Sequence, residues 1–329
     1  MKALILAGII GLAIFGGLTM FDTESTSRML SKETAVDAAF TKWCQEQGKT
    51  YGTSTEHNYR KANFAHNYKV ITEHNANPLK SFTMALNQFS DLSVEEFKRQ
   101  YLMKVERPLD GVAPAVAKAN YSYVSSIDWR QSGKVSRVKN QGQCGSCWAF
   151  STVGSVEAWN AIENNTTPVE FSEQQLVDCA RSYGPQGCSG GWMYNAMDYF
   201  RDNGICTESS YGYTARNGYC KASSCQKSSF TISGHRMVPA DSEEAMKEAL
   251  TKQPVSVTVD ASAFMSYSSG VIRNGTCGDS LDHGVLAVGY TDSYWIVKNS
   301  WGASWGEQGY VRLGMGNTCG MLDVAVVPY

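Results

Sequence analysis

This 329-residue chain predicts an α+β fold: a helical lobe and a β-barrel-like lobe share one cleft, and a separate helical segment precedes them. Three features predict it. From about 129 to 235 the chain carries most of its cysteines and reads as helix, with an apolar-periodic run beginning at Cys147 and further helical stretches at 172–178 and 191–203. From about 236 strand-like runs take over, namely Val255-Ser-Val-Thr-Val259, Val285-Leu-Ala-Val288 and Tyr294-Trp-Ile-Val297. Upstream of both, Glu56, Arg60, Phe64, Asn67, Ile71 and Asn75 recur at helical spacing on one stripe.

The first element is a leader. One Lys is followed by a mostly apolar run from Ala3 to Leu18, which reads as a secretory signal peptide over 1–20. A signal anchor is the competing reading, because the run is slightly long for a signal core and short for a span. Net charge is −2, which points to neither a nucleic-acid nor a membrane-surface partner.

Residues 21–122 form the second element. The stripe from Glu56 to Asn75 mixes polar and apolar members, whereas an ordinary amphipathic helix segregates them. Phe40, Trp43 and Tyr51 predict an earlier helix crossing this one. Val105 to Asn120, with Pro108, Gly111 and Pro114 among small residues, reads as an exposed, cleavable linker. A second stable domain is the plainer alternative for the whole segment.

The third element, 123–329, holds the chemistry. Gln141-Gly-Gln-Cys-Gly-Ser-Cys147-Trp places a thiol at the start of a helix, where free N–H groups and the dipole favour thiolate. Gln141 can donate to an oxyanion. Of the five His, three lie in the upstream segment, leaving His235 and His283. His235 reads as a strand-end or surface residue. His283 opens one strand-like run and Asn299 follows another, with a turn near Tyr290-Thr-Asp-Ser between them. A hairpin centred near 291 puts His283 opposite Asn299, where cross-strand Cβ atoms are roughly 5 Å apart. Nucleophile, base and orienter then follow as Cys147, His283 and Asn299. A CxxC redox pair or half of a zinc site competes for Cys144 and Cys147, but the redox reading lacks a βαβ context and the zinc reading a second ligand pair.

With these residues the chain resembles a papain-like cysteine peptidase of the cathepsin L-like group, as a full precursor with signal peptide and inhibitory propeptide. The nucleophile block, Asp282-His283 and Asn299-Ser-Trp-Gly302 match in order and separation, and the 56–75 stripe matches the propeptide helix motif at all six positions. Asn87-Gln-Phe-Ser-Asp91 resembles the second propeptide motif, with Ala85 where Gly is usual.

The resemblance implies a papain-like two-lobe fold. Gln141 and the Cys147 N–H form its oxyanion hole, Trp301 shields the His–Asn pair, and a propeptide lies backwards in the cleft. It implies cysteine endopeptidase activity on protein and peptide substrates, with no cofactor and no metal. A monomer is expected, as is inhibition by the protein's own propeptide and by cystatin-type inhibitors. The destination is the lysosome or vacuole, or the extracellular space.

Of the ten cysteines Cys44 lies upstream, leaving an odd set of nine. The resemblance implies Cys144–Cys188, Cys179–Cys220 and Cys277–Cys319. Cys206 and Cys225 are extra to that pattern and are expected to pair, leaving Cys147 alone free. Gly190 and Gly191 match the segment that pairs with substrate backbone. Trp192, Met193, Thr258, Leu281 and Val324 would line the pocket for the second residue before the cleaved bond, with Asp282 and Trp301 also among the substrate contacts. No acid sits among those five pocket residues, so a hydrophobic side chain is expected there. Sequons at Asn120, Asn164, Asn165 and Asn274 allow glycosylation. Two other classes compete: a silent binding or storage protein on this fold, and a disulfide oxidoreductase, which would need Cys144 free.

Overall fold

The computed structural model describes residues 20–104, 120–278 and 280–329, with side chains from 34 onward. The leader expected over 1–20, save Met20, and most of the linker therefore fall outside the described residues. The chain divides into two compact units between Tyr68 and Lys69.

The first unit holds α1 (Met20–Gln47) and most of α2 (Ser54–Ala76). Helix α1 stops where Gly48 takes φ 62°, so Tyr51 lies beyond it, stacked on Phe40 at 6.2 Å between centroids. Phe40, Trp43 and Phe64 are buried together, with Phe64 5.2 Å and 5.3 Å from the other two rings. Glu56, the first residue of the stripe, works at the helix start. Its N–H donates to Thr53 Oγ1 at 3.1 Å and its carboxylate accepts from Gly52 N at 3.3 Å, which satisfies one donor of the first helical turn and ties the preceding chain to it.

The second unit opens on the end of α2. Asn75, the last stripe residue, holds Met84 by both backbone groups, at 2.7 Å and 3.0 Å. That contact presents β1 (Phe82–Met84) to the antiparallel edge of β5 (Tyr267–Ile272). Helix α3 (Val94–Tyr101) follows, started by a reciprocal Ser93–Glu96 capping box.

The helical lobe is built on α4 (Cys147–Glu163), with α5 (Glu173–Cys179) and α6 (Met193–Asn203) packed against it. Fourteen of α4's residues are buried, which an apolar helix tolerates only inside a core. Gly154 explains how close the sheet comes: a Cβ there would stand 3.1 Å from Leu286 Cδ2. Cys144–Cys188, Cys179–Cys220 and Cys206–Cys225 are disulfide-bonded in this lobe.

The β lobe contains β2 (Ile127–Asp128), β3 (His235–Val238), α7 (Glu243–Lys252), β4 (Val255–Val259), β5, β6 (His283–Tyr290), β7 (Tyr294–Lys298), β8 (Tyr310–Gly314) and β9 (Ala325–Pro328). The nine described strands run β1-β5-β8-β7-β6-β4-β9-β3, with β2 on β6. Among the described strand pairs only β5–β8 is parallel. Cys277–Cys319 is bonded here. The lobe's core takes in Phe82, Phe89, Leu92, Phe97 and Leu102 of the upstream segment, so one apolar cluster spans residues on both sides of the linker. His235 Nδ1 sits 3.2 Å from Asp198, away from the cleft residues described below.

The hairpin register differs from the sequence expectation. Leu286 pairs with Lys298 and Tyr290 with Trp295, across an irregularity between Ala287 and Gly289. The hairpin is thus centred about one residue later than expected. Asn299 lies past the end of β7, not opposite His283, because the irregularity adds a residue to β6 that spacing alone does not reveal.

Candidate active site

Cys147 is the first residue of α4 and His283 the first of β6, and the two elements meet at their starts. A Cβ on Gly284, next to His283, would lie 3.1–3.2 Å from the Cys147–Trp148 peptide. Glycine is required there for so close an approach. His283 Nε2 is 2.7 Å from Asn299 Oδ1. Asn299 reaches it from beyond the strand end because its N–H is held by Gly309 O at 2.9 Å, and its Oδ1 also accepts from Ser300 N at 2.8 Å. Trp301 lies over the imidazole, centroids 4.6 Å apart and planes 28° apart. Cys147, His283 and Trp301 are fully buried, and His283 Nδ1 has no hydrogen-bond partner among the described residues.

Four hydrogen bonds of the Gln141 N–H and side chain set its orientation. Its N–H donates to Ser300 O at 2.8 Å, and Ser300 Oγ donates to its Oε1 at 2.6 Å. Those contacts leave Nε2 pointing into the cleft, where it donates to Cys144 O at 2.9 Å and to Tyr101 O at 2.8 Å.

The cleft is filled by the chain's own upstream segment. Met103 N donates to Asp282 O at 2.7 Å and Lys104 N to Ser189 O at 3.0 Å, so this short stretch bonds to both lobes. Leu102 O lies 2.8 Å from where a Cβ on Gly145 would be. Phe89 and Phe97 meet the Trp301 ring edge-on at 5.4 Å and 5.2 Å, and Gln88 Nε2 donates to Trp301 O at 2.8 Å. Nothing in the sequence motifs drew attention to Tyr101, Met103 and Lys104. The Ser93-x-x-Glu96 cap could have marked α3 and hence the approach to the cleft.

Burial governs the protonation states. It pushes the Cys147 thiol up to about 12, against the pull of the Gly284, Trp148 and Cys147 N–H groups. It pushes His283 down to about 4, although the Asn299 bond opposes this. Burial in the covered cleft of the precursor thus favours a neutral thiol and a neutral imidazole. A covered cleft lacks the water that would solvate two charges. Burial likewise raises Asp282 to about 6 and lowers Lys298, next to Asn299, to about 8.

Three of the expected pocket residues, Trp192, Leu281 and Val324, form one small cluster, and Thr258 Oγ1 reaches Val324 O at 3.4 Å. Met193 instead packs in the helical-lobe core, beside Cys147 and Met103. Gly190 bonds within its own loop, to Gly187 O and from Gln186 N. The cleft-filling segment is met at Ser189.

The sequence profile of the papain family of cysteine proteases matches residues 123–329. The chain belongs to that family. A cathepsin propeptide inhibitor domain matches residues 40–97. Among curated relatives, digestive cysteine proteinase 2 of Homarus americanus is 42% identical over 89% of this chain and 96% of its own length. A cathepsin L-like proteinase of Fasciola hepatica is 44% identical over 89% and 93%. Among solved structures, a recombinant stem bromelain precursor superposes with a TM-score of 0.80 at 38% identity, covering 89% of this chain and 98% of that one. This papain-family member is thus a cysteine-type endopeptidase, cathepsin L-like, made with a propeptide that inhibits it from within the same chain.

Proposed function

We infer that peptide-bond hydrolysis runs through Cys147, His283 and Asn299, with Gln141 and the Cys147 N–H binding the oxyanion. The 2.7 Å bond between His283 Nε2 and Asn299 Oδ1, made beside the peptide that carries Cys147, carries this reading. Once the propeptide leaves, water can solvate charge, and the thiol proton moves to His283 Nδ1. The sulfur attacks the carbonyl carbon, forming the C–S bond. The oxyanion is held between Gln141 Nε2 and the Cys147 N–H. The C–N bond breaks as His283 gives its proton to the leaving amine. A water then yields a proton to His283 and its oxygen to the acyl carbon, and the thiolate departs. Trp301 keeps water from the His283–Asn299 bond.

Burial of Trp192, Leu281 and Val324 in one cluster supports a hydrophobic residue at the second position before the cleaved bond, with Thr258, Gly190, Gly191 and Asp282 bordering the cleft. We take residues 21–122 as the removable propeptide and 123–329 as the mature, monomeric enzyme, with cystatin-type proteins as further inhibitors. Four disulfides suit an oxidising compartment, consistent with the secretory pathway and a lysosomal, vacuolar or extracellular destination.

Acidifying the purified precursor under reducing conditions tests the reading. Mass analysis should show loss of the upstream segment together with hydrolysis of a Leu-containing reporter peptide, and a Cys147→Ala precursor should do neither. Full activity in Cys147→Ala would end it.

A further inference from the structure

The two oxyanion donors sit on separate stretches of chain, Gln141 and the Ser146–Cys147 peptide, and one phenol touches both. Tyr213 Oη donates to the Gln141 main-chain oxygen at 2.7 Å and lies 2.5 Å from Ser146 Oγ. A phenol has one proton. With that proton on the carbonyl, the Ser146 hydroxyl must donate to Tyr213. This also accounts for the start of α4, whose N-cap Ser146 makes no side-chain cap bond.

The phenol is itself held from three sides. Its ring meets Phe150 edge-on at 4.8 Å, and its N–H donates to Glu208 Oε1 at 3.0 Å. The next residue, Thr214, donates its N–H and hydroxyl to Gln174 Oε1 at 2.8 Å and 2.9 Å. Ala215 stands 3.0 Å from where a Cβ on Gly142 would lie, so this loop presses on the residue after Gln141. Burial raises the Tyr213 hydroxyl far above its ordinary range, which keeps its proton in place.

We propose that Tyr213 is a positioning residue for the oxyanion hole: it ties the Gln141 backbone to Ser146 and so sets the spacing of the two donors. It acts through the main chain, whereas Ser300 fixes the Gln141 side chain. The proposal rests on Gln141 and Cys147 having the roles inferred above. Without the phenol oxygen, the Gln141 carbonyl loses this donor and the Ser146 hydroxyl keeps only its longer 3.5 Å approach to Cys144 O, so the 141–146 turn is free to shift by fractions of an ångström. Hydrogen bonds to a developing oxyanion are sensitive to shifts of that size.

The test is Tyr213→Phe, matured from the full precursor and normalised to titrated active thiol so that only folded enzyme counts. We expect kcat to fall roughly tenfold, as for a modest misplacement of catalytic groups, with KM changed less than about twofold. A peptide aldehyde, whose hemithioacetal oxygen occupies the hole, should lose affinity by the same factor. Alkylation of Cys147 by iodoacetamide forms a C–S bond, expels iodide and creates no oxyanion, so its rate and pH profile should not move. In a Gln141→Ala background Tyr213→Phe should cost less than about twofold. Unchanged kcat, or aldehyde affinity and alkylation rate falling together, would overturn the proposal. Full kcat in Gln141→Ala alone would instead remove the oxyanion reading beneath it, and this inference with it.

Discussion

Gln141 Nε2 donates to the main-chain oxygen of Tyr101 across 2.8 Å. The donor proposed to receive the reaction's oxyanion is thus already occupied by a peptide carbonyl of the inhibitory segment. On that proposal the propeptide occupies the oxyanion donor as well as covering the thiol.

Gln141→Ala should therefore have two consequences. Turnover of the mature enzyme should fall about 100- to 1,000-fold, the usual cost of one oxyanion donor. The precursor should hold its segment 101–104 less tightly, seen as faster amide exchange there. Steady-state kinetics and hydrogen-exchange mass spectrometry check the two separately.

Phe97→Ala should let the precursor leak. Phe97 packs edge-on against Trp301 and Phe89 and is 2% exposed. Truncating a buried Phe typically costs about 3 kcal/mol or more. Hydrolysis of a reporter peptide at neutral pH by uncleaved precursor should rise by about a hundredfold over wild type if most of that cost falls on the closed state.

Acid should open the precursor partly through His283. Closed, its imidazole is lowered to about 4 from an ordinary 6.5; open, it returns toward the ordinary value or higher. The open state thus binds more protons between about pH 6.5 and 4, and falling pH favours it. In the inactive Cys147→Ser precursor, the protection of amides over 88–104, corrected for the intrinsic exchange rate at each pH, should fall on going from pH 7 to 4.5. Adding His283→Asn should remove much of that change, on the order of tenfold. Asp282, raised to about 6 by burial, works in the opposite sense but is common to both variants, so the difference isolates His283.

Substrate choice should follow the Trp192–Leu281–Val324 cluster. A Leu reporter should be cut in preference to an Arg reporter at the second position before the cleaved bond. Val324→Asp should narrow or reverse that ratio by placing a carboxylate where an Arg can pair with it. A profile in which wild type prefers Arg would refute the assignment.

Removing Cys206–Cys225 with a double Ser substitution should lower stability by about 3 kcal/mol. That is the entropic value for a closed loop of this size, the two residues being 19 apart. The melting temperature should drop by roughly 5–10 °C, with the kinetics of the surviving folded enzyme unchanged.

Much of the fold could be read from local pattern. The strands Val255–Val259 and Tyr294–Lys298 and the helix beginning at Cys147 each carry their own periodicity. The stripe from Glu56 to Asn75 falls within one helix, α2. Spacing suggests that His283 and Asn299 lie together, but the hairpin centre falls about one residue later than spacing predicts. Strand irregularities such as that between Ala287 and Gly289 depend on packing against neighbouring strands, and periodicity does not record them.

The sequence by itself determined which residue types were available for the chemistry: one thiol at a helix start, two imidazoles downstream of which one opens a strand, and an amide beyond the next strand. It also determined the family, because those blocks occur in a fixed order. Only the tertiary structure decided their state. It brought Tyr101 to Gln141, Phe89 and Phe97 to Trp301, and Tyr213 to Ser146, contacts between residues 40 or more positions apart that no short-range pattern encodes. The burial that these contacts create keeps Cys147 and His283 neutral, since desolvation is a property of the assembled cleft and not of any residue within it.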